Sequence, residues 1–75
     1  MFEELKEIIC NYVEVDPSDI HLDSRFMEDL GFTSFDFVSM MGELEEQYDI
    51  EIDSAQAGSV RTVQEAVDYL STLVE

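Results

Sequence analysis

An all-α fold, an irregular four-helix bundle with a long first loop and a short third helix, is what this 75-residue sequence predicts. Three observations carry that expectation. Apolar residues recur at helical spacing in three separate stretches, and turn-forming clusters divide them at Asp16 to Asp19, at Gly31 and at Gly58. The one alternating segment, Asp49 to Asp53, has no second strand pattern to pair with.

The first helix is expected from Phe2 to Val15, where Phe2, Leu5, Ile8, Ile9, Tyr12 and Val13 share a face and Glu3, Glu4, Lys6, Glu7, Asn11 and Glu14 turn away. Asp16-Pro17-Ser18-Asp19 is its expected stop, because proline disfavours helix at the residue before it and Asp and Ser prefer turns. From Ile20 to Thr33 no period is sustained, and Ile20, Leu22, Phe26, Leu30 and Phe32 are expected to pin a long loop to the core. A loop this long in so small a domain is often functional.

The second helix is expected from Ser34 to Tyr48, with Thr33 capping its first turn and Asp36 against the positive end of its dipole. Its apolar face holds Phe37, Val38, Met40, Met41, Leu44 and Tyr48. Asp36, Ser39, Glu43, Glu46 and Gln47 form the opposite, negative face. Asp49 to Asp53 reads as an extended link anchored by Ile50 or Ile52, and Ser54 to Ala57, closed by Gly58, as one short helical turn. Thr62-Val-Gln-Glu65 reads as a capping box opening a last helix with Val63, Ala66, Val67, Leu70, Leu73 and Val74 on its inner side.

Composition excludes several classes of function. Nineteen acids face three bases, Lys6, Arg25 and Arg61, for a net charge of −16, so neither a phosphate backbone nor an anionic membrane surface is an expected partner. The charge favours basic protein partners met quickly and released readily. An apolar content of 45% is enough to build a core, which separates the chain from a disordered acidic tail. No apolar run approaches the roughly 20 residues that cross a bilayer, and the first residues carry acid where a secretory leader carries base. With the single Cys10 no disulfide framework forms, so a cytoplasmic monomer of one domain, residues 1–75, is expected.

The segment Asp29-Leu-Gly-Phe-Thr-Ser34-Phe-Asp-Phe-Val38 resembles the attachment site of acyl and peptidyl carrier proteins, where a Leu-Gly stretch leads to a Ser at the start of the second helix. The resemblance extends over essentially the whole chain and takes in the Asp-Pro turn, the acidic Glu43-Leu-Glu-Glu-Gln-Tyr48 and the Thr62-Val-Gln-Glu-Ala-Val-Asp-Tyr-Leu70 helix. It implies an acyl-carrier fold in which Ser34 bears a covalent 4′-phosphopantetheine, placed there from coenzyme A by a phosphopantetheinyl transferase, and holds acyl intermediates as thioesters. Physical chemistry agrees, since a helix N-terminus favours an attached phosphodiester.

The resemblance also implies partner recognition through Thr33, Phe35, Asp36, Glu43 and Glu46. It implies an acyl pocket lined by Val38, Met41, Leu44, Tyr48, Ile52, Val60, Ala66 and Leu70, and partners that load, condense and transfer acyl groups through basic docking patches. The commonest motif reads Asp-Ser-Leu, whereas here it reads Thr33-Ser34-Phe35, which leaves open which transferase acts. Gly42 inside the second helix costs about 1 kcal/mol relative to Ala.

No catalytic reading competes on equal terms. His21 is the only histidine and sits in a loop, so no Ser-His-Asp or Cys-His set and no metal-ligand spacing can be assembled, and Asp16 to His21 lacks the glycine of a calcium loop. The alternative of a different class is an acidic helical adaptor with a carrier-like fold and no arm. Fatty acyl, polyketide and amino acyl cargo are equally compatible with the sequence.

Overall fold

The computed structural model describes residues Met1 to Val74. Four α-helices are present among them, α1 (Phe2–Ile9), α2 (Ser34–Tyr48), α3 (Ser54–Ala57) and α4 (Val63–Leu73), with a 3-10 turn at Pro17–Asp19 and no β-strand among the described residues.

Helix α1 ends at Ile9, well short of the expected Val15, so Asp16-Pro17 is not what stops it. The N–H groups of Asn11 and Tyr12 donate three residues back, to the carbonyls of Ile8 and Ile9, both at 3.0 Å, which is the tighter 3-10 pattern. Cys10-Asn-Tyr-Val13 are all weaker helix formers than Leu, Lys or Glu, so little propensity opposes the change. The tightened turn delivers Tyr12 to two partners: its ring lies 6.0 Å from that of Phe32 and its hydroxyl donates to Glu43 on α2 at 2.7 Å. Asp16 instead caps the Pro17–Asp19 turn, accepting from the Ser18 N–H at 2.9 Å and from the Ser18 hydroxyl at 2.7 Å.

The long first loop is held by its backbone as much as by its side chains. Across one edge, the N–H of Phe26 donates to Arg61 at 3.0 Å, the N–H of Val63 to Ser24 at 3.0 Å and the N–H of Gln64 to Leu22 at 2.7 Å, around an isolated antiparallel bridge between Arg25 and Thr62. Ile20, Phe26, Leu30 and Phe32 are buried as expected, but the Leu22 side chain is 40% exposed. What Leu22 contributes is its carbonyl. Ser24, the buried polar residue of this loop, is satisfied by accepting from the His21 N–H at 3.0 Å.

These attachments set Phe26, 1% exposed, at the centre of an aromatic cluster. Its ring meets those of Phe32 and Phe37 edge-on, each at 5.4 Å, a geometry worth about 0.5–1.5 kcal/mol per pair beyond burial. Leu5, Ile8 and Ile9 of α1, Met40, Met41 and Leu44 of α2, and Val63, Ala66 and Leu70 of α4 complete the core. Both Ile50 and Ile52 pack against it from the extended link.

Helix α2 closes on Asp49, whose φ of +54° lies in the left-handed region usual for helix ends and tolerated by Asp. Asp53 then caps α3, accepting from Ala55 and Gln56 N–H groups at 2.8 and 3.3 Å.

Tyr12→Phe is expected to destabilise the fold by about 1 kcal/mol in urea unfolding at neutral pH. The hydrogen bond to Glu43, aided by burial, pushes the Tyr12 hydroxyl from its ordinary 10.0 up to about 12. A raised value means stability that is complete below pH 10 and lost as pH rises through 12. The difference between the two proteins should therefore close across that window, and a difference unchanged by pH would locate its source elsewhere.

Candidate functional site

Two helices in this fold begin with the same device. The Thr33 hydroxyl accepts from the Asp36 N–H at 3.1 Å while the Asp36 carboxylate accepts from the Thr33 N–H at 3.1 Å. At α4 the Thr62 hydroxyl accepts from the Glu65 N–H at 3.2 Å, and the Glu65 carboxylate accepts from Thr62 and Arg61 N–H groups at 3.1 and 3.0 Å. Those two N–H donors hold the Glu65 carboxyl below its usual range.

The two starts differ in what happens to the remaining N–H groups. A helix leaves its first four N–H groups without intrahelical partners. In α4 all four are taken: Val63 and Gln64 by the loop carbonyls of Ser24 and Leu22, Thr62 and Glu65 by each other's side chains. In α2 the N–H groups of Thr33 and Asp36 are taken by each other's side chains, but none of the described residues accepts from Ser34 or Phe35. One start is sealed by the protein, and the other faces outward with a hydroxyl on its first residue.

Ser34 is exposed at that open start, and Gly31 makes the approach by turning the chain at φ +81° three residues earlier. Around it lie apolar side chains that the core does not use: Phe35 is 80% exposed, Val38 69% and Met27 49%. Val38 is thus a correction to the expected packing face, because at its position α2 has turned past the core and the residue stands at the mouth of a groove instead.

That groove, about 390 Å³, is lined by Ser34 together with Arg25, Met27, Phe37, Val38, Val60 and Arg61. A second, about 310 Å³ and more apolar, adjoins it through Phe37, Val38, Ala57 and Gly58 and continues to Met41, Gly42 and Ile52 between α2 and α3. Four of the sequence-predicted pocket residues, Val38, Met41, Ile52 and Val60, line these grooves. Leu44, Ala66 and Leu70 are fully buried in the core behind them. Tyr48 lies at the far end of α2, half-buried, and burial raises its hydroxyl above the ordinary range.

Of the residues expected to meet partners, Thr33 and Asp36 form the cap, Phe35 and Glu46 stand exposed, and Glu43 accepts the Tyr12 hydroxyl. Glu45, unremarked in the sequence, accepts from the Ile52 N–H at 2.9 Å and so fixes the link beneath the second groove. Sequence reasoning also missed Arg25, Arg61, Met27 and Phe37 as groove residues. No local signal could have joined Arg25 to Arg61, since only the bridge between the loop and the start of α4 brings them together.

An exposed primary hydroxyl, two uncommitted N–H groups and an adjoining apolar groove are what a covalently attached phosphodiester with a long organic tail requires. The residues present fit 4′-phosphopantetheine. They define a small helical carrier of the phosphopantetheine type.

The comparison with known proteins gives the family. The family model described as the phosphopantetheine attachment site matches residues 3–70, and the chain belongs to that family. It is similar to the acyl carrier protein of Sulfurovum sp. (strain NBC37-1), 37% identical over 73 residues covering 97% of each chain. The acyl carrier protein of Wolinella succinogenes is 36% identical over 72 residues, 96% of this chain and 95% of its own. That of Clostridium acetobutylicum is 36% identical over 75 residues, 100% of this chain and 97% of its own.

Gly42, on the wall of the second groove, has no structural need to be glycine, because a Cβ there would meet nothing within 4 Å. Gly42→Ala is expected to raise unfolding stability by about 1 kcal/mol. A loss of stability would show that the helix packs more tightly at this point than described.

Proposed function

We propose that this chain is an acyl carrier protein, a single domain over residues 1–75, and that Ser34 bears its 4′-phosphopantetheine arm. The observation that carries the reading is the open N-terminus of α2: the N–H groups of Ser34 and Phe35 have no acceptor among the described residues and stand beside an exposed hydroxyl, while the matching start of α4 is closed by the loop. When attached, the arm ends in a thiol that holds acyl groups as thioesters.

The chain's own contribution is to position and to present. Thr33 and Asp36 fix the first turn, so that the attachment oxygen stands at a set height above the helix. Val38, Met41, Ile52 and Val60 offer an apolar surface along which an acyl chain is shielded from water, with a gain of about 0.8 kcal/mol per buried CH₂.

Phe35 and Glu46, with Asp36 and Glu43 nearby, supply the surface that a transferase and the loading, condensing and acyl-transfer enzymes would meet through basic patches. The net charge of −16 supports fast, salt-sensitive encounters of this kind. Bond-making belongs to those partners, because the chain's one histidine, His21, lies exposed in the first loop. Among the described residues no helix is long and apolar enough to cross a membrane, and a cytoplasmic monomer serving fatty acid or related polyketide or nonribosomal synthesis is the setting that suits the charge and the single Cys10.

Incubation with coenzyme A, magnesium and a broad-specificity phosphopantetheinyl transferase should add the mass of one phosphopantetheine to the wild type and nothing to Ser34→Ala. No gain with several transferases would favour the unmodified adaptor, and a gain that survives in Ser34→Ala would move the site elsewhere.

A further inference from the structure

We propose that Arg61, with Arg25 beside it, binds the phosphate of the arm carried on Ser34; the inference rests on the carrier reading above. The chain has three basic side chains against nineteen acidic ones, and two of the three line the same groove as Ser34. Lys6, the third, is on α1, 3.2 Å from Glu3 and over the ring of Phe2 at 4.8 Å. Arg25 is held by Glu28 at 2.9 Å and by Asp29 at 3.3 Å. Arg61 alone has a side chain in no ion pair among the described residues, although its charge helps to hold low the carboxyl of Glu65, which accepts its backbone N–H.

Charge balance within the groove points the same way. Its one acid, Glu28, already pairs with Arg25, so Arg61 is the base of the groove wall that no acid of the groove pairs with. An arm on Ser34 brings one permanent anion to this place, the phosphodiester bonded to the Ser34 oxygen. Guanidinium is the side chain best shaped to meet it, with paired N–H donors matching two phosphate oxygens. The N–H groups of Ser34 and Phe35 approach the same anion from the helix side.

The groove also has a direction. Arg25, Arg61 and Ser34 stand at one end, and beyond Phe37 and Val38 the walls become Met41, Gly42 and Ile52. A phosphate anchored at the cationic end aims the rest of the arm along α2 toward the apolar end. An exposed pair of this kind biases an equilibrium by about five-fold at most, so the arm is oriented while remaining free to leave for a partner enzyme. Salt should weaken it, since charges are screened over about 30 Å at 0.01 M but about 3 Å at 1 M.

The test uses the holo protein without acyl cargo. Intact mass first establishes that wild type, Arg61→Gln, Arg61→Lys and Arg25→Gln each carry one phosphopantetheine. Phosphorus NMR at low salt should then show the resonance of Arg61→Gln displaced from that of the wild type, toward the position the wild type takes at 1 M salt, with Arg61→Lys between them and Arg25→Gln displaced less. In isotope-labelled wild type the Arg61 Nε–H resonance should move between the apo and holo forms, which decides the matter even if Arg61→Gln is modified poorly. Coincident phosphorus resonances for wild type and Arg61→Gln at low salt, with an unmoved Arg61 Nε–H, would overturn the inference while leaving the carrier reading intact. Failure of the wild type to gain mass would remove both.

Discussion

Two carbonyls in the first loop organise much of this molecule. By accepting from the N–H groups of Gln64 and Val63, Leu22 and Ser24 seal the start of α4 and at the same time fix a loop that has no regular structure of its own. Buried backbone groups must find partners, so a loop laid against a helix start satisfies both at once. With the loop held, Phe26 reaches the centre of the core between Phe32 and Phe37, and Phe37 sets the rotation of α2. That rotation decides which residues of α2 are inside and leaves Ser34, Phe35 and Val38 outside.

The excess of acid is less idle than the net charge suggests. Asp16, Asp36, Glu43, Glu45, Asp53 and Glu65 each accept a hydrogen bond from a backbone N–H or a hydroxyl at a turn, a cap or a helix crossing. Backbone N–H donors hold Asp16, Asp29 and Glu65 below the usual carboxylate range. Stability from such groups is present above that range and lost as pH falls through their lowered values. Acids that serve the fold at their inner oxygens still project charge outward, so one residue type caps the helices and makes the field that attracts basic partners.

Most of the architecture was legible in the sequence because it rests on local chemistry. The Thr33 cap, the Thr62 capping box, the short α3 before Gly58 and the limits of α2 follow from residues three or four positions apart. The end of α1 was not legible, because the reason to leave the helix at Ile9 lies at Glu43 and Phe32, far along the chain. Leu22 and Val38 misled for a related reason: apolar character marked them as buried, whereas the position of each is set by a contact made through its backbone or its neighbours. The place of Ser34 at the start of α2 was legible from its surrounding motif, and the two bases that line the groove with it were not, since Arg25 and Arg61 meet only through tertiary pairing.

The contrast between the two helix starts is tested most directly by amide hydrogen exchange, residue by residue, in the apo protein. The amides of Val63 and Gln64 should exchange far more slowly than those of Ser34 and Phe35, which should exchange near the rate of an unstructured chain. Equal protection at all four would contradict the account, because it would mean that the start of α2 is closed by the protein and has no N–H groups left for a phosphate.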